Sequence, residues 1–198
     1  MLEVNLLRII MKKGDRVMKT ALVIVDMQEG FINDYTYDLT SKIRNFIDNN
    51  DFDLIIGTKY INHENTACYK YEGWKGCMRG TGEVSIVQEL ADVCDEVFEK
   101  DKYSCWNDDF IDILKSNEID RLVFVGVNTG CCVLNSVFDA YNDLFDVIVI
   151  KDLCGSTSGV KSHKCAIQIL EECITKERVI TSSEYKIRGD LIVYNITE

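Results

Sequence analysis

The sequence predicts an α/β fold: a three-layer α/β/α sandwich around a mainly parallel, roughly six-stranded Rossmann-like sheet. Three observations carry this expectation. From residue 20 onward, short β-rich apolar runs alternate with longer segments of helical pattern. Runs such as Leu122-Val-Phe-Val125 are apolar at every position, as expected of strands covered on both faces. Alternation of this kind calls for parallel strands joined by right-handed crossovers.

The elements follow in order. The first strand, 21–25, reads Ala-Leu-Val-Ile-Val and stops at Asp26. Further strands are expected at 54–57, 96–99, 122–126, 147–150 and 178–180, with helices near 38–49, 83–92, 108–116, 131–142 and 159–173. There is no repeat, linker or low-complexity tract, so 18–198 is expected to form one domain. Residues 1–17 read as an N-terminal extension. They lack the basic start and small-residue cleavage site of a signal peptide, and Met18 is expected to be the native initiator.

Composition narrows the function. The chain has 198 residues, 46% of them hydrophobic, which argues against disorder. It carries 22 Lys and Arg against 33 Asp and Glu, a net charge of −11 that argues against nucleic acid and anionic membranes as partners. No apolar run approaches the ~20 residues of a membrane span. There is no proline. The nine cysteines, at 68, 77, 94, 105, 131, 132, 154, 165 and 173, follow no framework or C-x-x-C spacing. A reduced, cytoplasmic protein is expected.

Open α/β sheets place their sites at the carboxyl ends of strands. Those ends carry Asp26, Thr58, Lys100 and the turn from Gly126 to Cys132. An acid, an amine and a thiol therefore converge on one edge. A cysteine at a helix N-terminus meets free amides and the positive end of the dipole, which favour the thiolate and can hold an oxyanion. Thr129 is placed to cap that helix. Asp26 can act as a general base or serve only as a turn residue. Lys100 can support the charged groups or be a solvated surface lysine, with Lys102 the competing candidate.

Together these sites resemble the isochorismatase-like cysteine hydrolase family, which includes nicotinamidases and N-carbamoyl amidases. The likeness spans nearly all of 18–182. Asp26-Met-Gln-Glu-Gly-Phe31 resembles D-x-Q-x-x-F, Lys100-Asp-Lys-Tyr-Ser104-Cys-Trp106 resembles K-x-x-x-S-A-F, and Gly126-Val-Asn-Thr129-Gly-Cys-Cys132-Val133 resembles G-V-x-T-x-x-C-V. The resemblance implies Asp26 as acid/base, Lys100 rather than Lys102 as the catalytic lysine, and Cys132 rather than Cys131 as nucleophile. It implies a cis Val127-Asn128 peptide, with the amides of Asn128 and Cys132 as the oxyanion hole. Asp152 and His163 match positions that are structural in the family. Phe31, Tyr60, Trp74 and Trp106 are candidate substrate-pocket walls. Cys105 and Cys131 are extra thiols near the site, and the other six cysteines are expected to be packing residues.

The departures are informative. The metal site of nicotinamidases has a D-x-H after the second strand and a later His. Here the first region runs from Thr58 to His63 without that Asp, and Gly76 stands where the later His would be. One His makes a poor metal site, so no metal and no other cofactor is expected. The expected activity is cleavage of a C–N bond in a small amide, carbamoyl or ureido compound through a cysteine thioester, in a homo-oligomer whose partner is a small-molecule substrate. A non-catalytic binding or thiol redox-sensing module on the same fold is the main alternative. A receiver domain is a weaker one, because the third strand ends at Lys100 and not at Asp.

Overall fold

The computed structural model describes residues 18–188, so the expected extension over 1–17 lies outside them. Six strands form one sheet: β1 (Thr20–Val25), β2 (Leu54–Tyr60), β3 (Glu96–Lys100), β4 (Arg121–Val127), β5 (Asp146–Gly155) and β6 (Val179–Ile180). Their spatial order is β3-β2-β1-β4-β5-β6, and every neighbouring pair is parallel. The helices are α1 (Leu39–Asp48), α2 (Ala67–Glu72), α3 (Gln88–Ala91), α4 (Asp108–Ser116), α5 (Leu134–Asn142), α6 (Val160–Cys173) and α7 (Ser182–Arg188).

The alternation of side chains along each strand builds two cores. Ala21, Val23 and Val25 of β1, with Leu122 and Phe124 of β4, face Phe110 and Leu114 of α4, Val137 of α5 and Leu170 of α6. Leu22 and Ile24, with Val123 and Val125, face Leu39, Ile43 and Phe46 of α1 and Leu90 of α3. Residues 21–25 are all fully buried, as their unbroken apolar run requires.

Four elements differ from the sequence expectation. The helix expected over 83–92 is a 3-10 turn at Gly82–Val84 followed by the short α3, because Ile86 leaves helical geometry to bridge Gln28. Strand β5 continues past Ile150 to Gly155 through Lys151 and Asp152, whose polarity hid the extension. Helices α2 and α7 were not expected at all. Among the described residues, no helix is long and apolar enough to cross a membrane.

Candidate active site

The central strands β1 and β4 lie side by side where the strand order reverses, and the crevice beyond their carboxyl ends is the natural site. Asp26 follows β1 in the left-handed region, φ +46°, a conformation Asp tolerates better than most residues. Gly126, near the end of β4, has φ +109°. A Cβ there would lie 2.2 Å from the Val25 carbonyl oxygen, so only glycine lets β4 pass the end of β1 this closely.

Beyond Gly126 the Val127–Asn128 peptide is cis. The chain then winds through a π-helical turn, Thr129–Val133, into α5. The Asn128 carbonyl accepts from the amides of Cys131 at 3.0 Å and Val133 at 3.2 Å, on either side of the Cys132 amide. The Asn128 side chain is fixed as well, its Oδ1 accepting from Thr157 N at 2.6 Å. Thr129 does not cap the helix. Its hydroxyl donates to Gly155 O at 2.8 Å and meets His163 Nδ1 at 2.9 Å, tying the turn to β5 and α6. Since the hydroxyl has one hydrogen, Nδ1 is the donor in the second bond. Burial, then Lys164, pushes the His163 pKa down, consistent with a neutral ring.

Three buried groups meet at this edge. Lys100 Nζ, at the end of β3, donates to Asp26 Oδ2 at 2.7 Å and to Lys102 O at 3.1 Å. Thr58 Oγ1 donates to Asp26 Oδ1 at 2.7 Å and accepts from Asp26 N at 3.1 Å. The Cys132 thiol lies within electrostatic reach of both the Asp26 carboxylate and the Lys100 ammonium. Asp26, Lys100 and Cys132 are all buried, whereas Lys102 is exposed. Burial by itself would lower the Lys100 pKa, but the Asp26 carboxylate outweighs it and holds the ammonium above its ordinary range. Burial, then Asp26, raises the Cys132 thiol well above its ordinary value, against the opposing pull of Lys100. This runs against a helix-stabilised thiolate: desolvation and the Asp26 carboxylate both favour the neutral thiol.

A cavity of about 380 Å³ opens beside Cys132, at the small end of the roughly 300–1,000 Å³ typical of ligand sites. Phe31, Tyr60 and Trp74 line it, together with Asn128. Phe31 and Trp74 stack at 5.7 Å, and the Tyr60 ring lies 6.0 Å from Trp74. The Lys100 ammonium is 5.4 Å from the Tyr60 ring centroid. The Tyr60 hydroxyl is buried without a hydrogen bond of good geometry, with Cys68 and Thr66 as its polar neighbours. Trp106 is not brought to the cavity. It packs on Phe110 and Phe145, and its indole N–H donates to Asp143 Oδ2.

The cavity also takes residues that sequence reasoning passed over, chiefly Cys68 and Glu72 from α2, and Tyr103. Helix α2 is too short and polar to show a period. Its signals were the Thr66 cap, which accepts from Tyr69 N at 3.2 Å, and Gly73 at φ +68° just past its end. Cys105 and Cys131 do lie near the trio, Cys105 fully buried and pushed up to about 12 by burial. Cys165 and Cys173, expected to pack inside, are exposed on α6, because their face of that helix looks to solvent. Asp152 accepts from both the amide and the hydroxyl of Ser182, fixing the start of α7.

His63 Nε2 lies 3.2 Å from Asp101 Oδ2. Gly76 is covered by the Trp74 indole, and a Cβ there would fall 2.4 Å from Cζ2. Among the described residues, no group of three or more His, Cys, Asp or Glu could hold a metal ion.

The chain matches the family model described as the isochorismatase domain over residues 20–184. No curated protein matches it in sequence. Several solved structures share its fold. An isochorismatase-like hydrolase from Alkaliphilus metalliredigens superposes with a TM-score of 0.75 at 22% identity, covering 86% of this chain and 98% of that one. The nicotinamidase PncA from Bacillus subtilis gives 0.69 at 21% identity, covering 82% and 99%. PnC1 from L. infantum, solved in complex with nicotinate, gives 0.73 at 20% identity, covering 84% and 94%.

Proposed function

The chain belongs to the isochorismatase family, and from that premise we propose that it is a cysteine hydrolase cleaving a C–N bond of a small amide, carbamoyl or ureido compound. The observation that carries the reading is the buried Asp26–Lys100 ion pair, whose charges act on a buried Cys132 beside a cavity of substrate size. The thiol is neutral at rest, so its proton leaves as it attacks. Asp26 accepts that proton while Sγ bonds to the carbonyl carbon. The amides of Asn128 and Cys132 receive the oxyanion. Asp26 then returns the proton to the departing nitrogen, leaving a thioester. Water attacks the thioester with Asp26 again as base, and the acid or carbamate product departs as the thiol is restored.

Each neighbour has a task in this scheme. Thr58 holds one oxygen of Asp26 and Lys100 the other, so the carboxylate is aimed before substrate arrives. Phe31, Tyr60 and Trp74 give the substrate an aromatic wall. A homo-oligomer and a cytoplasmic setting remain part of this proposal.

Ammonia release from a panel of primary amides and ureides tests it. Cys132→Ala should lose at least about 10³-fold in rate, and intact-mass spectrometry of wild type should show an acyl adduct on Cys132. Lys102→Ala should retain activity, because its side chain is exposed and does not reach Asp26. Undiminished turnover by Cys132→Ala would overturn the mechanism.

A further inference from the structure

Among the described residues lining the cavity, Glu72 is the one charged side chain. Asp26 and Lys100 are bound to each other and buried, so neither offers a free charge to a ligand. Glu72 is the last residue of α2, the end of a helix where the backbone dipole disfavours a carboxylate. It is held there by the Tyr103 hydroxyl, which donates to Glu72 Oε1 at 3.0 Å. Tyr103 in turn accepts from Cys68 Sγ at 3.6 Å, so the acid is anchored through two other cavity residues. Glu72 lies near enough to Cys131, the neighbour of Cys132, to raise that thiol after burial has done so. The stacked faces of Phe31 and Trp74 also suit a cation. The net charge of −11 draws cations toward the molecule.

On the premise that Cys132 cleaves amides, we infer that the site selects substrates whose end remote from the scissile bond carries a positive charge, an ammonium or guanidinium, with Glu72 the specificity-determining residue that reads it. A substrate carboxylate would find no free cation among the described lining residues and would face Glu72 instead.

Three benzamides of similar size test this: 4-(aminomethyl)benzamide as cation, 4-(hydroxymethyl)benzamide as neutral compound and 4-carbamoylbenzoate as anion. Two quantities are measured, kcat/KM from ammonia release and Kd for Cys132→Ala by calorimetry. The expected order is cation over neutral over anion, with about tenfold between the first two. In Glu72→Gln the cation-to-neutral ratio should collapse toward one, through KM rather than kcat, and Glu72→Lys should place the anion first. An anion that performs as well as the cation in wild type overturns the inference, as does an equal loss on all three compounds in Glu72→Gln. Glu72-dependent binding of the cation without any ammonia release supports the inference and counts against the hydrolase reading. Absence of both binding and turnover for all three overturns the inference.

Discussion

At Cys132 burial and the Asp26 carboxylate raise the thiol pKa against the pull of Lys100, and that fixes how the thiol behaves before substrate binds. A pKa raised by burial and by Asp26 means that little thiolate exists at neutral pH, and that the fraction grows as pH rises toward the raised value. The alkylation rate of Cys132 by iodoacetamide should therefore keep climbing from pH 7 to pH 10. The exposed Cys165 and Cys173 should react before it. Peptide mass spectrometry over a time course measures both, and a plateau for Cys132 below pH 8 would contradict the burial argument. The identity of the trio was legible in the spacing of three short motifs. The protonation state was not, because it depends on how deeply the turn is buried and on what lies opposite the sulfur. Trp106 shows the same limit. Its neighbours in sequence point to the site, but its ring turns to the α4 side of the sheet and packs there.

At the scale of elements, the sheet was legible because each strand is a short run with a single reading. Strand β1 has no polar residue between Ala21 and Val25, and a run so short and apolar is covered on both sides. Short helices were not legible, because four to six residues hold no period. Two such segments, α2 and α3, lie between β2 and β3, and α2 lines the cavity. What the sheet does require is the passage of β4 beside the end of β1 at Gly126. Gly126→Ala would place a methyl against the Val25 backbone and force a strained φ. The expected cost is roughly 2–4 kcal/mol, read as a lower denaturation midpoint in urea. Activity should fall as well, since the same strand end positions Asp26 and the turn bearing Cys132.

Across the whole molecule, the two ends of the sheet have different duties. At the amino ends of β4 and β5, Asp146 accepts from Arg121 Nε at 2.7 Å and from an Arg178 guanidinium nitrogen at 2.6 Å. This cluster joins β4, β5 and the turn before β6, far along the strands from Cys132. Asp146→Ala would leave two largely buried guanidinium groups without their shared carboxylate. A loss of about 3 kcal/mol is expected, measured by urea unfolding, with KM unchanged. A KM that rises in parallel would mean that the two ends are mechanically coupled. The opposite end can accept greater variety, because a fixed base of strands carries it. The segment between β2 and β3 can then carry Gly76, over which Trp74 folds, without disturbing the sheet.

The ion pair between Asp26 and Lys100 has one more consequence. Before the proposed attack the trio holds a carboxylate, an ammonium and a neutral thiol. After the proton passes it holds a carboxylic acid, an ammonium and a thiolate. The sum is zero in both, so the reaction only redistributes charge within a pocket that counter-ions do not enter. Ionic strength should consequently act on the approach of a charged substrate through solvent and leave the bond-making step itself indifferent to salt.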